Sequence, residues 1–306
     1  MGKIAFIFPG QGSQYVGMGK DLYEKYDVVK NTFDEATKVL GFDMAKMCFE
    51  SEDVNKTEYT QPALVTMGVA LMRLLEEKGI KADMTAGLSL GEYASLVCSK
   101  VLDFSTAVTL VRKRGQYMQN CIPNGEWGMA AILGLEDSIV EEVCAKIDGY
   151  VRCANYNCPG QIVIAGEKSA VETACTKLSE VGAKRTIMLN VSAPFHTEKL
   201  TEAKENLAKE LEKTQFGKFN IPVIKNIDAR EYSEEDNKVE ILSNHIVSSV
   251  QWRKSVELMI DNGVDTFIEL GPGKTLSGFI KKINKDVKVM NIENVETFEK
   301  VLEMMK

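Results

Sequence analysis

Histidine, tryptophan and long apolar runs are all scarce in this sequence. Its 306 residues include two tryptophans and two histidines, His196 and His245. Because no C-x-x-C pair accompanies so few histidines, we do not expect a zinc site of cysteine and histidine ligands, nor another metal site. No apolar run approaches the roughly 20 residues that a membrane-spanning helix requires, so no membrane partner is expected.

Seven cysteines are scattered along the chain, an odd number without regular spacing. In a chain of this length, that pattern favours reduced, mostly buried thiols over a disulfide framework. The first residues hold one lysine and a short apolar run that alternates like a strand, with no small-residue cleavage site after it. We therefore interpret them as the first strand of a cytoplasmic protein rather than as a signal peptide. The net charge of −7 argues against general nucleic-acid binding.

Alternation of strand-like and helix-like segments predicts an α/β fold with a largely parallel sheet covered on both faces. After a break at Pro123-Asn124-Gly125, the order changes to β-α-β-β-α-β, which is typical of a ferredoxin-like α+β subdomain. We predict a large α/β-hydrolase-like catalytic domain formed by residues 1–125 and 193–306. The small ferredoxin-like subdomain, residues 126–192, is inserted into it.

Three local predictions concern segments beside the functional motifs. The periodicity predicts a helix over 61–78 with Pro62 in its first turn, where a missing N–H costs nothing. The run IPVIKN at 221–226 predicts a strand, and 239–248 predicts a helix that contains His245. A histidine inside a helix favours a packing or surface role for His245 over a catalytic one.

The stretch GLSLGEY at 87–93 contains a G-x-S-x-G. In a nucleophile elbow, this pattern places a serine on a sharp turn from strand to helix, and small residues on either side let the turn close. A short strand candidate at 84–86 precedes the motif, and a helix is predicted from Leu90 to Ser99. The same five-residue pattern also occurs in ordinary Gly-Ser turns, so Ser89 needs a partner to be assigned as a nucleophile.

A serine nucleophile needs a base, and the two histidines limit the choice. His196 follows Ser-Ala-Pro-Phe and precedes a predicted helix, in the kind of loop where active-site residues gather in open α/β sheets. We therefore favour His196 over His245. The group that orients its imidazole could be a main-chain carbonyl or a carboxylate, and Glu269 at a strand end is a candidate. The alternative for Glu269 is a capping or turn acceptor.

Two further features could handle an anion. A glycine-rich turn, PGQGSQ at 9–14, follows the first strand but fits neither the Rossmann nor the P-loop pattern. It can still present main-chain N–H groups to an anion or an oxyanion. Arg114 precedes Gly115, which allows close approach of another group, and a guanidinium binds a carboxylate in bidentate fashion. Arg114 would then select a substrate with a free acid, the alternative being a solvated helix charge.

These motifs together resemble those of the malonyl-CoA:acyl-carrier-protein transacylases of fatty-acid synthesis and the related acyltransferases of polyketide synthases. The resemblance covers nearly the whole chain and rests on eight stretches in the family's order. They are FPGQGSQ (8–14), TQPA (60–63), GLSLGEY (87–93), RGQYMQ (114–119), NYNCPGQIVIAG (155–166), APFHT (193–197), VQW (250–252) and ELGPGKTL (269–276).

The resemblance implies a catalytic role for five residues. Ser89 would be the nucleophile that carries the malonyl group, and His196 would be the general base and then the acid. Backbone N–H groups of Gln11 and Leu90 would form the oxyanion hole. The main-chain carbonyl of Gln251 would orient His196, so that no triad carboxylate is needed.

The resemblance also implies the substrate-binding residues. Arg114 would pair with the malonyl carboxylate, and Gln61 would line the pocket. Leu90 resembles the malonyl-selective members, since those that use methylmalonyl groups more often carry glutamine there. Two positions depart from the family pattern: Leu88 stands where histidine is usual, and Ser249 replaces a common proline. We expect the mechanism to survive both changes.

The sequence thus predicts a malonyltransferase that takes malonyl-CoA and acyl carrier protein as partners, needs no cofactor and treats the coenzyme A thioester as substrate. The alternatives are a discrete acyltransferase of a polyketide synthase, a serine thioesterase or esterase, and a non-catalytic carrier-binding module. Carrier proteins are typically acidic, so docking would use a basic patch. Lys184-Arg185 and Lys281-Lys282 are the candidates.

Overall fold

The computed structural model of the chain describes residues 2–122, 126–191 and 193–306. The predicted break at Pro123-Asn124-Gly125 and the residue Ser192 lie outside the described residues. The strands are β1 (Lys3–Phe8), β2 (Met84–Gly87), β3 (Trp127–Leu133), β4 (Val151–Cys158), β5 (Gln161–Glu167), β6 (Arg185–Met188), β7 (Val264–Leu270) and β8 (Lys288–Ile292).

Helices occupy most of the remaining described chain. They are α1 (Lys20–Lys25), α2 (Asp27–Leu40), α3 (Met44–Glu50), α4 (Thr57–Glu77), α5 (Gly91–Cys98), α6 (Phe104–Asn120), α7 (Asp137–Ala145), α8 (Lys168–Glu180), α9 (Thr201–Leu211), α10 (Lys238–Asn244), α11 (Trp252–Asp261), α12 (Thr275–Ile283) and α13 (Val295–Met304). Short 3₁₀ turns cover Glu52–Asn55, Glu198–Leu200 and His245–Val247.

The larger sheet has the order β2-β1-β7-β8, and all its neighbouring strands are parallel. Its central strand β1 is apolar on both faces. Phe6 and Phe8 point into a core that includes α4 and α6, whereas Ala5 and Ile7 point into a second core formed with α11 and α12. This confirms the predicted α/β fold with a parallel sheet buried on both faces.

The smaller sheet has the order β4-β5-β3-β6 and is antiparallel throughout. Helices α7 and α8 pack on it through their own apolar cluster. The element order from β3 to β6 is β-α-β-β-α-β, so the ferredoxin-like prediction is confirmed. The proposed domain boundaries at 125/126 and 192/193 stay a prediction.

Backbone hydrogen bonds join the smaller sheet to the segment before α11, beside the site. The Val250 N–H donates to the Ala154 carbonyl at 2.9 Å, and the Tyr156 N–H donates to the Val250 carbonyl at 2.9 Å. Next to them, the Ser249 hydroxyl donates to the Cys153 carbonyl at 2.6 Å. A serine there makes a hydrogen bond that the family's proline could not, and it holds the segment before α11 against β4.

Three local predictions were wrong in part. Helix α10 ends at Asn244, so His245 lies in the 3₁₀ turn that follows and not in the predicted helix over 239–248. The 221–226 segment is not a regular strand: Val223 bridges only to Thr85 of β2, and the chain then bends into a turn closed by Lys225 N–H to the Arg230 carbonyl. Helix α4 begins at Thr57 rather than at 61, so Pro62 lies inside it and removes one intrahelical hydrogen bond.

The cysteines and the helix lengths are the last features that the composition addressed. All seven cysteines have free thiols, and five of them are buried. None of the helices in the described ranges is long and apolar enough to cross a bilayer.

Candidate active site

Ser89 lies on a sharp turn between β2 and α5, at the carboxyl end of the parallel sheet. Its φ is +52°, a left-handed conformation that is strained for a residue with a Cβ. The flanking glycines are required sterically. A Cβ on Gly87 would lie 2.0 Å from the Gly91 carbonyl, and one on Gly91 would lie 2.3 Å from the Phe8 carbonyl oxygen. The predicted strand-turn-helix context of an elbow is therefore present.

The structure brings His196 to Ser89 although 107 residues separate them. Ser89 Oγ lies 2.8 Å from His196 Nε2. His196 is 5% exposed and also has a left-handed backbone, with φ of +62°. This is the arrangement that a serine nucleophile and its general base require.

The carbonyl that orients His196 belongs to His245, and the prediction of Gln251 was wrong. His196 Nδ1 lies 3.0 Å from the His245 carbonyl oxygen, which keeps the proton on Nδ1 and leaves Nε2 free to accept one. This carbonyl is accessible because α10 ends at Asn244 and a 3₁₀ turn follows. The Gln251 carbonyl instead begins α11, where it accepts from the Ser255 N–H at 3.0 Å.

His196 is held in its neutral form. Burial lowers its pKa to about 4, and the positive charge of Arg114 acts in the same direction. Hydrogen bonds to the carbonyls of His245 and Ser248 oppose this shift but do not overcome it. A neutral imidazole with an unprotonated Nε2 is the form that accepts a proton from serine.

Arg114 is a buried cation at the bottom of the site. It is 1% exposed, and no carboxylate of the described residues lies within ion-pair distance of it. Its Nη2 donates to Ser89 Oγ at 3.1 Å, and its Nη1 donates to Gln61 Oε1 at 2.8 Å. Burial lowers the pKa of this guanidinium. The charge of Glu92 acts on Arg114 from beyond ion-pair distance and opposes this shift. A desolvated cation that makes no ion pair within the described chain favours an incoming carboxylate.

The predicted oxyanion-hole residues border the same cleft. The backbone N–H groups of Gln11 and Leu90 make no hydrogen bond to another described residue, and both residues line the cleft. The register of β1 on β2, which pairs Phe8 with Gly87, brings the two loops together. The Gln11 side chain is tied to Thr57 Oγ1 at 3.1 Å. The role of these two N–H groups stays a prediction.

A cleft of about 530 Å³ leads from the surface to Ser89. Its lining includes polar side chains and an apolar wall that comes largely from the smaller sheet and the loop before His196. These apolar residues are Met118, Met129, Ala131, Val163, Leu189, Val191 and Phe195. Leu88 also lines it, so the departure from the family's histidine adds an apolar side chain beside the nucleophile. The cleft can hold an extended chain whose reactive end meets the Ser89 hydroxyl.

Sequence reasoning missed a buried polar cluster beneath the elbow, formed by Glu92, Asn226, Tyr232 and His245. Burial raises the pKa of Glu92 to about 7, against the hydrogen bonds from Tyr232 and Asn226. The ring of His245 packs 5.3 Å from that of His196, and burial lowers its pKa well below the ordinary range. The sequence features that could have indicated this cluster are Glu92 in GLSLGEY and Asn226 at the polar end of IPVIKN.

Glu269, the candidate carboxylate partner, has a structural contact instead. Its two oxygens accept from the backbone N–H groups of Leu276 at 3.1 Å and Ser277 at 2.7 Å. It therefore caps the first turn of α12, which was the alternative given for it.

Comparisons with known proteins agree with this geometry. A family model described as the acyl transferase domain matches residues 5–301. The malonyl CoA-acyl carrier protein transacylase of Bacillus subtilis (strain 168) is 43% identical over 311 residues, covering 100% of this chain and 98% of that relative. The matched range contains Ser89, His196 and Arg114.

Solved structures give the same result. The crystal structure of malonyl CoA-acyl carrier protein transacylase from Clostridium perfringens ATCC 13124 has a TM-score of 0.96 at 45% identity, covering 99% of this chain and 97% of that one. A malonyl-transacylase in complex with its type II PKS acyl-carrier protein has a TM-score of 0.96 at 39% identity, covering 99% of each chain.

Proposed function

The chain belongs to the acyl transferase domain family, and from that premise we propose that it transfers a malonyl group from malonyl-CoA to the phosphopantetheine thiol of acyl carrier protein in fatty-acid biosynthesis. The transfer proceeds through an acyl-serine intermediate on Ser89. The observation that carries this proposal is Arg114, a buried cation 3.1 Å from the nucleophile and without a carboxylate partner in the described chain. A neutral acyl group gives such a cation nothing to bind, whereas the free carboxylate of malonate does.

In the first half-reaction, Ser89 Oγ attacks the thioester carbonyl carbon of malonyl-CoA while His196 Nε2 takes the hydroxyl proton. The His245 carbonyl holds the imidazole in the required tautomer. The N–H groups of Gln11 and Leu90 would stabilise the tetrahedral oxyanion, and losing one such donor typically costs ~10²–10³ in rate. The C–S bond then breaks, and His196 returns the proton to the departing thiolate.

The second half-reaction reverses these roles with a different thiol. The phosphopantetheine thiol of the carrier gives its proton to His196 and attacks the malonyl-serine ester. Collapse of the second tetrahedral intermediate breaks the C–O bond, and Ser89 recovers its proton from His196. Water would give hydrolysis through the same steps, so the apolar wall of the cleft favours transfer by keeping the intermediate dry.

We propose that the reaction uses coenzyme A only as part of its substrate, draws on no further cofactor and takes place in the cytoplasm. The scattered free thiols support a reducing compartment. For the acidic carrier, Lys282 is well placed, because its Nζ donates to Gln161 Oε1 at 3.1 Å and Gln161 lines the cleft. A carrier of polyketide synthesis is the second candidate, favoured by the similarity to the solved carrier complex.

Intact-mass measurement of the protein mixed with malonyl-CoA, without carrier protein, tests the proposal. We expect one malonyl adduct, its loss in Ser89→Ala, and a much smaller adduct with acetyl-CoA. Ser179→Ala, on the exposed side of α8, is the matched control and should keep the adduct. Steady release of free coenzyme A without an adduct would indicate a thioesterase. No adduct and no release would indicate a non-catalytic carrier-binding module.

A further inference from the structure

Asn226 lies directly behind the nucleophile turn and is 1% exposed. Its side-chain amide makes two hydrogen bonds to the backbone of that turn. The Nδ2 group donates to the Gly87 carbonyl at 2.7 Å, and Oδ1 accepts from the Ser89 N–H at 2.8 Å. One side chain therefore satisfies a backbone acceptor and a backbone donor on either side of Leu88.

These two bonds act on the residue that carries the chemistry. Ser89 has a left-handed backbone with φ of +52°, which persists only where the surroundings enforce it. Without the Asn226 amide, a buried carbonyl and a buried N–H would lose their partners, and the turn could relax. A displacement of about 1 Å in a reacting atom can cost roughly 10²-fold in rate.

Asn226 is itself fixed by its backbone. Its N–H donates to Glu92 Oε2 at 3.1 Å, and its carbonyl accepts from the Gln251 N–H at 2.8 Å. The Tyr232 hydroxyl donates to the other oxygen of Glu92 at 2.5 Å. Glu92 lies in the first turn of α5, the helix that begins at the elbow. This helix therefore fixes Asn226, and Asn226 in turn fixes the elbow.

The same carboxylate reaches the base side of the site. Glu92 Oε2 lies 3.4 Å from His245 Nδ1, and the carbonyl of His245 orients His196. Hydrogen bonds therefore run from the Ser89 backbone through Asn226 to Glu92, which lies beside the His245 ring without a hydrogen bond to it, and the His245 carbonyl contacts His196.

We propose that Asn226 is a positioning residue that sets the Ser89 hydroxyl against His196 by clamping both sides of the turn. Asn226 is not among the residues that line the cleft and contacts the backbone of the turn rather than the Ser89 hydroxyl, and the proposal rests on the acyl-serine function given above. Its removal should therefore lower kcat and the rate of acyl-serine formation, and leave KM for malonyl-CoA nearly unchanged.

Asn226→Asp is the decisive variant, because aspartate has the same shape and keeps the oxygen that accepts from Ser89. As a carboxylate it cannot donate to the Gly87 carbonyl and instead places a second acceptor against it. When protonated, its O–H can donate there and restore the clamp. The variant should therefore recover as the pH falls, an effect that a loss of packing would not produce.

The measurement is the ratio of variant to wild-type kcat at about pH 8.5 and about pH 5.5, together with KM. Glu92, Tyr232, His245, His196 and Arg114 are present in all variants, and Asn226→Ala, which adds no charge, shows how their titration affects kcat when the clamp is absent. We expect a loss of roughly 10²-fold at the higher pH that narrows to within about tenfold at the lower pH, with KM within about threefold. Asn226→Ala should lose the same roughly 10²-fold at both.

Asn262→Asp is the matched control. Its Nδ2 also donates to a backbone carbonyl, that of Leu258 at 3.0 Å, but in an exposed position just before the amino end of β7, away from the carboxyl end where Ser89 lies. It should keep wild-type kcat at both pH values. Urea unfolding of every variant, followed by circular dichroism, verifies that each is folded.

Two results would overturn the proposal. In the first, kcat of both Asn226 variants stays within about threefold of wild type. In the second, the loss of activity in Asn226→Asp does not depend on pH and changes KM as much as kcat. If Asn226→Asp does not fold, Asn226→Ala, which buries no charge, decides alone. A fall in its kcat at constant KM supports the clamp, and an unchanged kcat refutes it. The malonyl adduct on the wild-type protein tests the proposed function separately.

Discussion

Replacing Arg114 by alanine should convert a malonyl-selective site into one that barely distinguishes malonyl from acetyl groups. Arg114 is buried and has no carboxylate partner in the described chain, and its Nε is also without a hydrogen-bond partner there. A malonyl carboxylate would therefore receive charge-assisted hydrogen bonds in a desolvated place. Breaking such a buried pair costs about 3–5 kcal/mol, which corresponds to a loss of roughly 10²–10⁴-fold in kcat/KM for malonyl-CoA.

Acetyl-CoA should respond differently to the same change. In the wild-type protein, an acetyl group leaves the Arg114 cation buried and unpaired, and alanine removes that penalty. The hydrogen bond from Arg114 to Ser89 Oγ is lost for both substrates, so it cancels in a ratio. We therefore expect the ratio of kcat/KM values, malonyl over acetyl, to fall by roughly 10²-fold or more, and acetyl transfer to improve.

The assay is transfer to the carrier protein at a fixed pH with each thioester, compared with Lys113→Ala. Lys113 is the preceding residue of α6, and its Nζ pairs with Glu210 Oε2 at 2.6 Å, away from the cleft. That control should leave both values within about twofold. An equal fall for malonyl-CoA and acetyl-CoA in Arg114→Ala would refute the carboxylate clamp, while leaving Ser89 as the nucleophile.

The other predictions concern the base and the elbow. His196→Ala should lower acyl-serine formation by ~10²–10⁴-fold, because a general base is lost, and near-normal single-turnover rates would contradict that role. With acetyl-CoA, the rate of the wild-type protein should fall at low pH with a midpoint near the His196 pKa of about 4. Arg114→Ala should move this midpoint to higher pH, because removing a cation raises the pKa of His196. An unchanged midpoint would contradict the electrostatic effect of Arg114 on His196. Gly91→Ala should lower the free energy of unfolding in urea by more than about 2 kcal/mol, because its Cβ would meet the Phe8 carbonyl. Gly278→Ala, a helix position with open space, should be neutral or stabilising by about 0.4–1 kcal/mol; equal effects of the two alanines would contradict the steric argument.

Local sequence patterns were enough to predict the fold class, the turn at Ser89 and the choice of His196. The G-x-S-x-G at 87–91 predicts the turn at Ser89, because only glycine fits where two backbone segments approach so closely. Both glycines lie within two residues of Ser89, so the sequence alone shows the pattern. Alternating apolar segments predict the parallel sheet, and the β-α-β-β-α-β order predicts the smaller sheet. With two histidines in the chain, even the base could be narrowed to His196 before any contact was known.

Tertiary structure alone decided which backbone atoms meet. The carbonyl facing His196 belongs to His245 rather than Gln251, because carbonyl direction follows from where α10 ends and α11 begins, and side-chain identity does not encode it. Asn226 shows the same limit. It contacts the Ser89 turn only because the segment after Val223 bends away from β2 and passes beneath a turn formed more than a hundred residues earlier in the chain.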